Sequence, residues 1–233
     1  MSEQTLTAAA YSLHSGKDLK GLVADWATDQ EAFKQVHWGK AMMWIFLLSD
    51  TFIFSCFLVG YMTVRMTTTV DWPYPSEVFA LSFGGDPIPL ILIAIMTFIL
   101  ITSSGTMALA VNYGYRGNKK VTVLLMAATA ILGASFVGMQ VFEWSKLILE
   151  EGVRPWTNPM GAAQFGSTFF MITGFHGLHV SAGVIYLAVI ARRVGSGYYE
   201  KRGKGMEIVE ITGLYWHFVD LVWVFIFAFF YLW

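Results

Sequence analysis

Residues 41–64 read AMMWIFLLSDTFIFSCFLVGYMTV, and Asp50 is the one charged side chain in the run. An α-helix rises ~1.5 Å per residue, so about 20 apolar residues cross the ~30 Å hydrocarbon core of a bilayer. This stretch is long enough. A helix also pairs its backbone N–H and C=O groups within itself, which lipid demands of any segment it surrounds. Four further stretches have the same character, at 88–111, 121–142, 167–191 and 211–233. Within all five, the only acidic or basic side chains are Asp50 and Asp220. The pattern predicts an all-α fold, a polytopic membrane bundle of five transmembrane helices.

Composition agrees with that reading. Of 233 residues, 56% are hydrophobic and only 13% charged, and a soluble globule of this size could not bury so much apolar surface. Nine Trp and ten Tyr suit a protein with two membrane interfaces. The single cysteine, Cys56, excludes an intrachain disulfide and any site built on several thiolates, and it reads as packing. Net charge −1, without a basic cluster interleaved with aromatics, gives no footprint for nucleic acid.

Orientation follows from where the basic residues fall. One side of the predicted membrane carries Lys17, Lys20, Lys34, Lys40, Arg116, Lys119, Lys120, Arg192, Arg193, Lys201, Arg202 and Lys204; the other carries Arg65, Lys146 and Arg154. Positive loops stay in the cytoplasm, so the N-terminus is expected inside and Trp233 outside. Residues 1–37 form a polar leader without the features of a secretory signal, and 38–233 form the membrane domain. Within the leader, Leu19, Leu22, Val23 and Trp26 suggest an interfacial helix over 18–36. The outer loop 65–87 is rich in Pro and Gly and is expected to lack regular structure. Ala130, Ala134 and Gly138, spaced by four, suggest a close helix–helix approach.

Polar groups in the membrane are the functional candidates. Asp50 lies about ten residues into its span, ~15 Å deep, where a carboxylate costs several kcal/mol unless protonated, hydrogen-bonded or hydrated. It marks either a functional site or a neutral carboxyl bonded to a neighbouring helix. Asp220 follows His217 by three residues, a spacing that puts both on one helix face as a self-satisfying pair. His176 and His179 share the same spacing and read as links between helices, with Gln140 and Glu143 joining the intramembrane polar network. Haem or copper bound by His176, His179 and His217 is the competing reading. Three intramembrane histidines cannot build a multi-metal oxidase centre, so no catalytic or metal-ligating residue is assigned.

Two motifs carry the reading further. The run from Phe165 to Val180, FGSTFFMITGFHGLHV, resembles the signature helix of cytochrome c oxidase subunit III, and so does YWHFVDLVW at 215–223. The resemblance extends from about Trp38 to Trp233 and matches the five-span bacterial form of that haem-copper oxidase family. It implies a supporting subunit of a proton-pumping terminal oxidase in a bacterial inner membrane, in aerobic respiratory electron transport. Haem and copper would belong to partner subunits I and II and none to this chain, with bound phospholipids and other respiratory complexes as further partners. The family's buried acid, commonly Glu after Ser, falls on Ser49-Asp50. Its lipid-phosphate contacts fall on Lys40 and on Arg192 or Arg193, point charges suited to headgroups. The cytochrome c branch is expected. A quinol oxidase subunit and the accessory subunit of nitric oxide reductase are alternatives within the family, and an autonomous proton-coupled transporter is the alternative from another class.

Overall fold

The computed structural model describes residues 36–83, 86–199 and 206–232. The interfacial helix expected over 18–36 lies outside them, Val36 excepted. Among the described residues are five helices long and apolar enough to cross a membrane. They are α1 (Trp38–Thr67), α3 (Ile91–Tyr115), α4 (Lys119–Leu149), α5 (Ala163–Gly195) and α6 (Glu207–Phe227), the last prolonged by a π-helical turn, Ala228–Leu232. The chain is therefore an all-α membrane bundle.

The helices outrun the apolar windows because polar residues at their ends continue the same backbone ladder into the headgroup region. At ~1.5 Å per residue α4 is about 46 Å long, well beyond the hydrocarbon core. The Nδ1 of His37 accepts the Gly39 N–H and caps the start of α1. Asn118 does the same for α4 by accepting from Val121. Gly117, at φ 74°, supplies the left-handed residue that lets α3 turn into α4 within three residues.

The loop after α1 is more regular than its prolines suggest. It holds a one-turn helix, α2 (Pro75–Val78), and an antiparallel hairpin of β1 (Ala80–Phe83) and β2 (Asp86–Pro89). Pro75 sits at the helix start, where its missing N–H is not needed. Pro87 and Pro89 are two residues apart on one strand of a two-stranded ribbon, so both missing donors fall on the same, unpaired side. The hairpin delays the second span, which begins at Ile91 after Leu90 turns through a left-handed φ of 59°.

Backbones pack most closely between α3 and α4, α4 and α5, α5 and α6, and α6 and α3, a closed four-helix ring. At its centre is Trp216. A Cβ on Gly133 of α4 would stand 2.3 Å from its ring, and one on Gly183 of α5 would stand 3.0 Å away, so the two glycines form a slot for the indole. The indole N–H donates to Ser103 Oγ of α3 at 3.0 Å. Two turns along α6, Trp223 donates to Thr97 Oγ1 at 3.0 Å, and Thr106 and Thr129 join α3 to α4 at 2.8 Å. Each such bond in lipid contributes about 0.6–1.7 kcal/mol. The ladder Ala130, Ala134, Gly138 does not make the close approach expected of it: Ala134 and Gly138 are exposed, and the slot opens on the Gly133 face instead.

Helix α1 joins the ring through large side chains. Its buried residues Leu47, Asp50, Phe54 and Tyr61 lie on one stripe, and most of its other faces are exposed apolar surface. Phe54 and Phe57 both meet Phe175 of α5 at 5.3 Å between ring centroids. Tyr61 stacks on Phe230 at 4.0 Å and donates to the Phe229 carbonyl. Cys56, read from the sequence as packing, lies exposed on this helix.

Candidate functional site

The seven intramembrane polar residues do not converge into one network. They sit in three separate clasps, each between two helices, with one histidine left over.

The first clasp joins α1 to α5. Asp50 is 4% exposed, and its Oδ2 lies 3.0 Å from Nε2 of His179. Nδ1 of His179 donates to the Phe175 carbonyl at 2.8 Å, an acceptor that fixes a proton on that nitrogen. The approach of Nε2 to Oδ2 lacks hydrogen-bond alignment, and Oδ2 has no hydrogen-bond partner among the described residues. An imidazole this close still compensates a carboxyl held in a low-dielectric core. Phe54 covers the contact from one side, its ring 5.6 Å from the imidazole. Tyr215 of α6 donates to the His179 carbonyl at 2.9 Å and anchors the same turn.

The second clasp joins α3 to α6. His217 and Asp220 share a helix face, yet the partner of His217 is Ser104 of α3, whose Oγ is 2.6 Å from Nδ1. The same hydroxyl stands beside the Asp220 carboxyl, whose Oδ1 has no hydrogen-bond partner among the described residues. Ser104 was not singled out in the sequence. Within the hydroxyl-rich run Thr102-Ser103-Ser104-Gly105-Thr106, nothing singles out Ser104 until the opposing helix is known.

The third clasp joins α4 to the π-helical turn. Glu143 is 4% exposed and accepts from Gln140 Nε2 at 2.6 Å and from the Tyr231 hydroxyl at 3.1 Å. Tyr231 belongs to a wall of rings with Phe79, Phe169 and Trp223. The Tyr231 contact, too, is absent from any local sequence pattern.

His176 shares the Phe54 ring with His179 but has other neighbours. It is fully enclosed, stacked on Trp223 at 5.4 Å and met edge-on by Phe136, and neither ring nitrogen has a hydrogen-bond partner among the described residues. His176, His179 and His217 therefore occupy three different environments. Among the described residues no three His, Cys, Asp or Glu side chains gather as a metal ion would require.

The basic candidates lie at helix ends. Arg192 and Arg193 occupy the last turn of α5 and are exposed, with the Arg193 guanidinium 5.5 Å from the centre of the Tyr198 ring. Lys40 is in the first turn of α1. Cations at a helix C-terminus also complement its partial negative charge.

Comparison with known proteins completes the description. The family profile described as Cytochrome c oxidase subunit III matches residues 8–233. The "Cytochrome c oxidase subunit 3" of Alkalihalophilus pseudofirmus is 32% identical over 192 residues, covering 81% of this chain and 84% of the relative. The "Quinol oxidase subunit 3" of Bacillus spizizenii is 33% identical over 188 residues, covering 79% and 82%. The "Cytochrome bo(3) ubiquinol oxidase subunit 3" of Pseudomonas aeruginosa is 31% identical over 190 residues, covering 81% and 82%. With five apolar helices, paired acids in the membrane and a match across nearly its whole length, this chain belongs to the cytochrome c oxidase subunit III family, the multi-pass inner-membrane subunit III of bacterial haem-copper respiratory oxidases.

Proposed function

We propose that the chain supports a proton-pumping terminal oxidase without a redox centre of its own. It would hold phospholipid against the complex and brace the partner subunits that carry haem and copper. The observation that carries this reading is the pairing of its intramembrane polar groups. Asp50 with His179, His217 with Ser104, and Glu143 with Gln140 and Tyr231 each close a contact between helices, and none of the three opens toward another. Such clasps specify how helices meet in lipid, where apolar packing alone discriminates poorly. The broad apolar faces of α1, including Trp44, Leu48, Phe52 and Val59, suit contact with lipid and with a partner subunit.

The N-terminus is assigned to the cytoplasm on the twelve-to-three division of Lys and Arg. Lys40, Arg192 and Arg193 then lie at the cytoplasmic surface, where anionic headgroups attract them by about 1 kcal/mol each. Cytochrome c is the proposed electron donor. A quinol-fed enzyme is the second reading, favoured by the names of two of the relatives above.

Purification of the tagged chain from its own membranes in mild detergent tests the assignment. It should bring down a haem- and copper-bearing subunit, and the intact complex should oxidise reduced cytochrome c faster than a quinol. Isolation as a haem-free monomer that transports protons after reconstitution would overturn the supporting role. Oxidation of quinol alone would overturn only the donor.

A further inference from the structure

The clasp between α3 and α6 lies on the outside of the bundle. His217, Asp220 and Ser104 are only half-buried, although His217 lies six residues past 211 and Ser104 seven before 111, which sets both about 10 Å inside the apolar windows from the same end. Ser104 Oγ is 2.6 Å from Nδ1 of His217 and bonds the Asp220 carboxyl as well. Low-dielectric surroundings favour the two net-neutral states of such a trio. With imidazolium and carboxylate, Nδ1 donates to Ser104 and Ser104 donates to Asp220. With neutral imidazole and carboxylic acid, the acid donates to Ser104 and Ser104 donates to Nδ1. In both, the remaining imidazole proton sits on Nε2, which is therefore a hydrogen-bond donor. Nε2 has no partner among the described residues, and it is not one of the polar atoms that the bundle encloses, so it reaches the outer surface.

We infer that the α3–α6 face around His217 docks a transmembrane helix of a partner subunit, one that carries a hydrogen-bond acceptor about 10 Å inside the apolar layer and meets Nε2–H there. The inference rests on the supporting role proposed above and names the face that meets the partner. Lipid does not satisfy the donor: acyl chains offer no acceptor, the hydrocarbon holds no water, and headgroups lie about two helical turns away. A second copy of this chain does not fit either, since a two-fold axis along the membrane normal would set the two Nε2 donors at one depth with no acceptor between them. The surface beside the imidazole admits a helix. On α3, Gly105 and Ala108 are exposed, and a Cβ on Gly105 would meet no atom within 4 Å; small residues of this kind let backbones approach closely. On α6, Leu221 and Val224 are exposed and supply apolar contact around the polar point. The outer face of α4, diagonally across the ring from α6, presents Leu124 and Ile131 instead.

Photocrosslinking of the intact complex in its own membranes tests the surface. p-Benzoylphenylalanine placed at Ala108 or Leu221 should crosslink to the haem-bearing subunit, and the same probe at Leu124 or Ile131 of α4 should not. Two substitutions at the imidazole test the hydrogen bond. His217→Asn keeps a polar group at the place of Nδ1 and removes the outer donor, so the subunit should dissociate about tenfold more readily when the complex is diluted in mild detergent, the ratio expected of one hydrogen bond. His217→Gln, whose amide nitrogen reaches the place of Nε2, should restore retention. Crosslinks from Leu124 or Ile131 alone, or from Ala108 and Leu221 only to lipid or to another copy of this chain, would overturn the surface and leave the supporting role standing. Equal retention of the Asn and Gln variants would do the same. A chain that co-purifies with no haem-bearing subunit would remove both readings.

Discussion

Replacing Gly133 with alanine adds one methyl group at the centre of the bundle. Its Cβ would stand 2.3 Å from Cη2 and 2.8 Å from Cζ2 of Trp216, and 2.9 Å from Val184. Carbon atoms settle at about 3.5–4.0 Å, so the indole must retreat by more than 1 Å. It has nowhere to go, because its other edge already lies where a Cβ on Gly183 would be 3.0 Å away. Overpacking of this kind costs about 1–3 kcal/mol. The shift also breaks the 3.0 Å bond from Trp216 to Ser103, worth about 1 kcal/mol net. Higher helix propensity of alanine returns up to ~1 kcal/mol, leaving a net loss of about 1–3 kcal/mol. Gly138→Ala is the control, five residues along the same helix at a site where a Cβ meets nothing within 4 Å. Reversible unfolding of the purified subunit in mixed micelles, followed by circular dichroism against the mole fraction of denaturing detergent, should separate the two variants by about 2–4 kcal/mol, since the propensity gain is common to both. Equal stability of Gly133→Ala and Gly138→Ala would refute the packing of Trp216 between α4 and α5.

His179→Leu should destabilise the subunit by about 3–5 kcal/mol because it strands the Asp50 carboxyl, whereas Asp50→Asn, which still offers both a donor and an acceptor, should be milder and leave oxygen consumption per haem largely intact in the assembled complex. Thermal loss of subunit III from the complex measures the first and oxygen electrode rates the second; abolished turnover in a fully assembled Asp50→Asn complex would make Asp50 an obligatory proton carrier. Ser104→Ala should cost about 1–2 kcal/mol by removing the 2.6 Å partner of His217, with haem content unchanged, and a neutral result would show that His217 satisfies itself on Asp220. Neutralising Arg192 and Arg193 together should lower the phospholipid retained per complex, counted by phosphorus analysis, without changing helicity; unchanged lipid would count against headgroup binding there.

Hydropathy and length were enough to place five helices, because lipid penalises every unpaired backbone group and allows few local solutions. Asp50 stood out for the same reason, as one of two charged side chains in five apolar windows. What no reading of the chain could supply was the rotation of each helix about its axis. In water an apolar stripe marks the buried face, but in lipid both faces are apolar: on α3, Met96 is fully buried while Phe98, two residues on, is 72% exposed. Partner choice depends on that rotation. The i, i+3 spacing made His217 and Asp220 look like a pair, and Ser104 from α3 entered between them. The same spacing joined His176 to His179, yet the first stacks on Trp223 of α6 and the second meets Asp50 of α1. Likewise, of the evenly spaced Ala130, Ala134 and Gly138, the last two look outward and only Ala130 packs partly against the core, and the glycine that admits Trp216 is Gly133, whose role depends on a bulky side chain from a helix about 80 residues away in the chain. A local pattern specifies what a segment can do with itself; which atoms of another helix it meets is settled only when the bundle closes.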